Sequence, residues 1–474
     1  MLKKLHNNPT LALVIAVSIL VVFRFILLGA LPLLDKTEAR YSEIARLMYE
    51  TKEWVVLQIE YGIPFWAKPP LSTWLSALSF KVFGINEISA RLPSFLLNLF
   101  LIILLGKYII KEKKRLFLLA FILLTTPEFF LHTGVVSTDT ALCFSVSLIM
   151  IGFWKAMNDP KPLLWNYLFF VGIGLGFLSK GPLVLVLTGP PIFIWLIIKK
   201  IKIKDLLYKL PWLLGILLVA LIAVPWYYLA ELRSPGFFDY FIVGEHFKRF
   251  LEPGWTGDLY GSGHSQPLGM IWVFLFAFAF PWFQILILKL WKVRKTILKN
   301  SWVVYLLLWI LWTPFFFTFS SNILHTYILP STVPLALLVI HYWPEFKRKD
   351  VLYKVAAVFP VLSILFFIGI RSSSYWEPYL NTDKYLIRQT HNDDDPVFYW
   401  QRTSYSGAFY TKGKSERIDT EEQLDSIVRS RNQFYLLTKN KDRDEIPEVY
   451  RNRMKLLDSN YRNTVFRFDK TIKP

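Results

Sequence analysis

Long apolar runs decide most of what this chain can become. A helix needs about 20 apolar residues to cross the hydrocarbon core of a bilayer. Leu11–Leu31, Leu210–Ala230, Leu268–Leu288, Trp302–Ser320 and Leu352–Ile370 approach or meet that length. Backbone polar groups in lipid must bond within their own segment, so such runs fold as helices. Eleven spans are expected, at roughly 10–31, 92–110, 116–131, 139–156, 163–179, 183–198, 210–230, 268–288, 302–319, 327–344 and 352–370. Lys3 and Lys4 ahead of the first run resemble the start of a signal peptide. No small-residue cleavage site follows and Asp35 comes straight after, so the run reads as a span. The one cysteine, Cys143, lies in an apolar run and excludes an intrachain disulfide.

The net charge of +19 could point to nucleic acid, but its distribution points to a membrane. Lysines and arginines crowd alternate short loops: Lys111–Arg115, Lys199–Lys209, Lys289–Lys299 and Lys347–Lys349. With Lys3 and Lys4 they mark the cytoplasmic side, because basic loops stay inside. The other loops are balanced: segment 32–91 has seven basic and seven acidic residues, and 231–267 has three and five. An odd span number then puts the tail after Arg371 outside. There, short β-like runs (Val397–Trp400, Phe434–Thr438, Val465–Phe468) alternate with helical patterns (Glu421–Arg429, Pro447–Leu457). The fold class is thus an all-α polytopic membrane protein, residues 1–370, with a small extracytoplasmic α/β domain at 371–474.

The first outer loop, 32–91, is too long to be a connector. Asp35–Glu50 and Leu71–Phe83 read as amphipathic helices lying in the headgroup plane, suited to gripping a lipid-borne molecule. Several motifs stand out: Asp35–Tyr41 (DKTEARY), Ser42–Arg46 (SEIAR), Pro64–Pro70 (PFWAKPP) and Phe83–Pro93 (FGINEISARLP). Further on come Ser179–Pro182 (SKGP), Pro225–Tyr227 (PWY), Gly244–Phe247 (GEHF), Gly263–Gly269 (GHSQPLG) and Asn322–Pro330 (NILHTYILP). In this order they resemble the aminoarabinose transferase branch of the protein-mannosyltransferase-like superfamily. The resemblance implies a GT-C-fold membrane glycosyltransferase at the outer face of a bacterial inner membrane. It implies a polyprenyl-phosphate sugar as donor, with a lipid A-like lipid, a glycan or a protein as acceptor. A transporter or flippase of a lipid-linked substrate is the rival reading, but repeated halves with ionisable groups at the midplane are not evident.

Asp35 and Glu38 are the catalytic candidates, since a carboxylate can take the acceptor's proton. An alternative is a capping box, Asp35 at the N-cap and Glu38 at the third helical position. Many relatives read Asp-Glu before the Arg-Tyr element where this chain has Thr37-Glu38, so which carboxylate acts stays open. The resemblance places Lys68 on the carrier phosphate; snorkelling to headgroups is the plainer alternative. Arg40, Arg91 and Lys180, near span or helix ends, are expected to share the phosphate, with Lys248 and Arg249 behind them. Asp139, Glu245, His246, His264 and Tyr327 are expected to bind substrate, though a helix N-cap also explains Asp139. The resemblance also implies a metal held by a glutamate just before the Lys-Pro-Pro lysine and by a histidine that His264 matches. Here that glutamate is Ala67, so no metal and no cofactor is expected. Gly172, Gly174 and Gly176 follow no strand and read as close helix packing, and Asp393–Asp395 as a solvated turn.

Overall fold

The structure, a computed structural model, describes residues 9–110, 112–160, 162–252, 255–260, 264–390, 395–402 and 404–471. Lys3, Lys4, Lys111, Gly263, Asp393 and Asp394 lie outside them. Most of the chain is a helical bundle: α1 Pro9–Ala30, α2 Thr37–Thr51, α3 Leu71–Phe83, α4 Glu87–Leu105, α5 Lys113–Thr125, α6 Pro127–His132, α7 Thr138–Asn158, α8 Leu163–Lys180, α9 Leu183–Ile198 and α10 Trp212–Arg233. It continues through α11 Met270–Phe278, α12 Trp282–Val293, α13 Ser301–Thr318, α14 Leu329–Tyr342 and α15 Lys349–Arg371.

Among the described residues eight helices are long and apolar enough to cross a membrane, or nine with α11 and α12 as one span bent by 100°. That is fewer than the eleven expected. The run at 116–131 breaks at Pro127, which has no N–H to continue the ladder and opens α6 instead. The run at 183–198 stays helical as α9 but has only 16 residues. The bundle core is dense. A Cβ at Gly172 would lie 3.0 Å from the backbone nitrogen of Ile149, so this glycine lets α7 approach, while Gly174 and Gly176 make room for Ile222 of α10 and Val184 of α9.

In loop 32–91, α2 departs from the expected one-sided amphipathic helix. Helix α2 is buried on its charged side as well as its apolar one, with Glu43 and Arg46 almost wholly enclosed. Burial is tolerated because the charges pair: both Arg46 Nε and Nη2 donate to Glu43 at 2.7 Å. Helix α3 keeps Leu78, Val82 and Phe83 outward, as an interfacial helix would.

The tail adds a five-stranded sheet with α16 Tyr405–Tyr410 and α17 Glu421–Ser430. Its strands are β3 Val397–Trp400, β4 Ser415–Ile418, β5 Gln433–Lys439, β6 Met454–Ser459 and β7 Asn463–Asp469, after a small β1–β2 hairpin (Gln58–Glu60, Ile63–Pro64). The order is β4-β3-β5-β7-β6, with β3 parallel to both neighbours and β7 antiparallel to both of its own. The expected helix Pro447–Leu457 is instead a turn of helix, Glu448–Arg451, and the start of β6. Pairing with β7 overrides the local helical pattern there.

This domain docks on the first loop. Helix α16 packs on α2, the Tyr410 hydroxyl accepts from Leu33 N at 2.7 Å, and Lys384 pairs with Glu87 at 2.5 Å. Asp35 N donates to Asn381 O at 2.8 Å. The C-terminal domain and the chain leaving α1 therefore share one end of the bundle, which requires an odd number of crossings in all.

Candidate active site

The Lys-Pro-Pro segment is held rigidly before its lysine is placed. Trp66 N donates to the Tyr260 hydroxyl (3.1 Å), which donates to Pro64 O (2.9 Å), while the Trp66 indole donates to Ser234 (2.8 Å). Lys68 then points inward, its Nζ 2.6 Å from both Ala67 O and Glu245 Oε2. Glu245 comes from a π-helical stretch, Asp239–Lys248, and also accepts from Arg249 at 2.9 Å. Arg249 reaches Asp258 as well, at 3.4 Å. Burial would raise the Glu245 carboxyl, but Lys68 and Arg249 outweigh it and hold it below the usual range. Burial pulls the Lys68 ammonium down against the pull of Glu245.

A second pair lies alongside. Lys180, the last residue of α8, donates to Asp139 Oδ1 at 2.5 Å and sits 5.1 Å from the centre of the Tyr327 ring. The N-cap of α7 is Ser137, whose hydroxyl accepts from Asp139 N at 3.0 Å. Asp139 is therefore not the cap, and its side chain is free to face Lys180. Lys180 and Arg249 both oppose the charge of Lys68, which puts three cations within electrostatic reach at one end of the bundle. His246 joins the two pairs: Nδ1 lies 2.7 Å from Phe241 O and Nε2 3.0 Å from Lys180 O.

The other candidates are arranged around this cluster or apart from it. Arg40 donates to Tyr260 O at 2.6 Å, and His264 is exposed, in the field of Arg249, Lys36 and Arg40. Arg91 spends all five donors on Glu38 and on Leu28, Leu31 and Pro32 carbonyls, none longer than 2.8 Å. It closes the end of α1 and keeps nothing for a phosphate. Glu38 answers Arg91 with both oxygens, and Asp35 accepts from Ser406 N (3.0 Å) and Oγ (2.6 Å) in the C-terminal domain. The capping box is thus absent. Helix α2 has Lys36 at its N-cap position with no side-chain cap, and the two carboxylates serve other elements. Asp395 accepts from Gln433 at 2.8 Å.

The donor set does not fit a resident metal. Glu245 is saturated by two cations, both His246 nitrogens face carbonyls, and position 67 is a buried alanine. Sequence reasoning passed over one group. Glu128 on α6 is fully buried between His132 and His325, at 3.0 and 2.9 Å. A glutamate inside an apolar run is the signal that could have found it.

The membrane bundle thus gathers lysines and carboxylates at the end that bears the small α/β domain. Residues 10–241 match the family model for dolichyl-phosphate-mannose-protein mannosyltransferase. The chain is 30% identical over 353 residues to the undecaprenyl phosphate-α-4-amino-4-deoxy-L-arabinose arabinosyl transferase of Wigglesworthia glossinidia brevipalpis, covering 72% of this chain and 60% of that protein. The transferase of the same name from Serratia proteamaculans is 28% identical, covering 73% and 62%. The chain therefore spans about 60% of the length of these curated relatives. Its fold matches crystalline ArnT from Cupriavidus metallidurans, bound to undecaprenyl phosphate, with a TM-score of 0.78 at 16% identity, covering 97% of this chain and 98% of that one. The chain is a membrane protein with the fold of crystalline ArnT, and its sequence is similar to the aminoarabinose transferases.

Proposed function

We propose that the chain is a glycosyltransferase that moves a sugar from a polyprenyl-phosphate carrier to an envelope acceptor. The convergence of Lys68, Lys180 and Arg249 carries the reading. Three cations from distant parts of the chain meet where the first loop and the bundle join, each already facing a carboxylate that a phosphate can replace. Lys68 and Lys180 act as point charges on the carrier phosphate. Glu245 keeps Arg249 when Lys68 turns away, so the exchange leaves no unpaired carboxylate there. The leaving group is already a phosphate ester, so no nucleotide, metal or other cofactor is needed. Arg40, His264 and Tyr327 frame the same space. The relatives named above make undecaprenyl phosphate-α-4-amino-4-deoxy-L-arabinose the first donor to test.

The site works at the outer face of a bacterial inner membrane. The basic loops after α4, α9, α12 and α14 support a cytoplasmic location for the opposite end of the bundle. A reporter fused after Pro474 should be active only outside the cytoplasm. The decisive assay incubates purified protein with that donor and an envelope lipid extract. Free undecaprenyl phosphate and a glycosylated product are expected. Donor that crosses the membrane intact would identify a transporter instead.

A further inference from the structure

Transfer to an acceptor hydroxyl needs a group that takes a proton; of the carboxylates around the cluster only Asp139 would lose its cation to an arriving phosphate, and it keeps the bond from the Ser137 hydroxyl at 2.9 Å. Asp35 serves Ser406, Glu38 serves Arg91, Asp139 serves Lys180, and Glu245 serves Lys68 and Arg249. Three imidazoles that are not fully buried lie near, His246, His264 and His325, and both nitrogens of His246 already face carbonyls. A base must be able to become positive. Burial and the cations of Arg249, Lys36 and Arg40 oppose that at His264.

His325 instead faces a carboxylate. Its Nδ1 is 2.9 Å from Glu128 Oε2, and Glu128 is itself wholly buried. A carboxylate only accepts, so Nδ1 carries the hydrogen and Nε2 presents its lone pair. Stacking on Phe278 (4.6 Å between centroids, 12° between planes) fixes the ring, and 38% of the side chain is exposed. An isolated carboxylate in an apolar wall is costly. Here two imidazoles lie against it: His325 bonds Oε2, while His132 Nδ1 bonds the Glu128 backbone carbonyl at 3.0 Å and lies 3.0 Å from Oε1, which has no hydrogen-bond partner of its own. The segment bearing His325 is pinned to the cluster on both sides. Asn322 Nδ2 donates to Arg249 O (2.7 Å), Ile323 N donates to His264 O (3.0 Å), and Tyr327 lies beneath Lys180.

We propose that His325, oriented by Glu128, is the general base of the transfer; this rests on the glycosyltransferase reading above. Nε2 takes the acceptor's hydroxyl proton as that oxygen bonds to the anomeric carbon. The bond from that carbon to the phosphate oxygen breaks, and the electron pair leaves with the polyprenyl phosphate. The imidazolium so formed is balanced by Glu128, which acts as a positioning residue.

The test measures undecaprenyl phosphate release and product formation from undecaprenyl phosphate-α-4-amino-4-deoxy-L-arabinose with an envelope lipid extract as acceptor. His325→Gln should lower kcat by about 10²- to 10⁴-fold with the donor KM unchanged. Glu128→Gln should shift kcat in the same direction, and free imidazole should restore part of the turnover of His325→Ala. Wild-type turnover in His325→Gln would overturn the proposal alone. Should His325→Gln melt well below wild type, failure of imidazole to rescue His325→Ala would overturn it. A wild-type chain that releases no undecaprenyl phosphate would overturn both readings.

Discussion

The residues of the cluster make separable forecasts. A hydrogen bond to a charged group contributes about 1.5–3 kcal/mol, so Lys68→Ala should weaken donor use roughly tenfold to a hundredfold while Lys68→Arg is partly tolerated. Donor kinetics in the two variants check this. Because Glu245 and His246 are committed to protein partners, turnover should also survive chelation. Stoichiometric zinc lost together with activity would contradict that. Asp35 makes a forecast about stability. Burial, aided by Asp383, pushes its carboxyl up from 3.8 to about 6, against the two bonds from Ser406. The folded state then holds the proton more tightly than the unfolded one. Stability from this group is present below pH 4 and is lost as pH rises through 6, by roughly 3 kcal/mol. Asp35→Asn should therefore raise the melting temperature in detergent at pH 7 and leave it near wild type at pH 4. None of this was legible in DKTEARY, because the group that meets Asp35 lies 371 residues away.

At the scale of elements, the Glu38–Arg91 pair decides how the first loop is hung. It joins α2 to α4 and to the last carbonyls of α1, in a setting where both side chains are nearly buried. Removing one partner of such a pair costs about 3–5 kcal/mol, whereas replacing both by apolar groups is often neutral. Glu38→Gln should lower the melting temperature sharply, and Glu38→Leu with Arg91→Met should recover most of it. Thermal unfolding of the three proteins decides between this role and a purely chemical one. The apolar periodicity announced α2 and α3 correctly as helices. It could not show that α2 is an interior helix, since that depends on Glu43 and Arg46 cancelling each other and on α16 covering the outer side. Likewise Pro127 lies inside the expected span at 116–131, where apolar residues on both sides of it conceal the break. In the tail, residues 454–457 continue a helical pattern, and the hairpin with β7, which starts at Asn463, turns them into strand.

The whole molecule was legible where physics is local: the runs, the basic loops and the small α/β tail all follow from composition along the chain. What was illegible is the seam between tail and bundle, made of single bonds between residues hundreds of positions apart. Deleting residues 372–474 should leave the spans inserted but α2 loosened, with protease cleavage between Leu33 and Thr51 that the full chain resists. Limited proteolysis of both proteins in membranes checks this, with Ser406→Ala expected to fall between them. The same seam bears on manufacture. Leu33 and Asp35 leave the ribosome hundreds of residues before the groups that fix them, Asn381, Ser406 and Tyr410. Helix α2 therefore waits while every span between is made. A copy terminated before Asn381 would sit in the bilayer with its early helices in place and without the bonds that hold the start of α2.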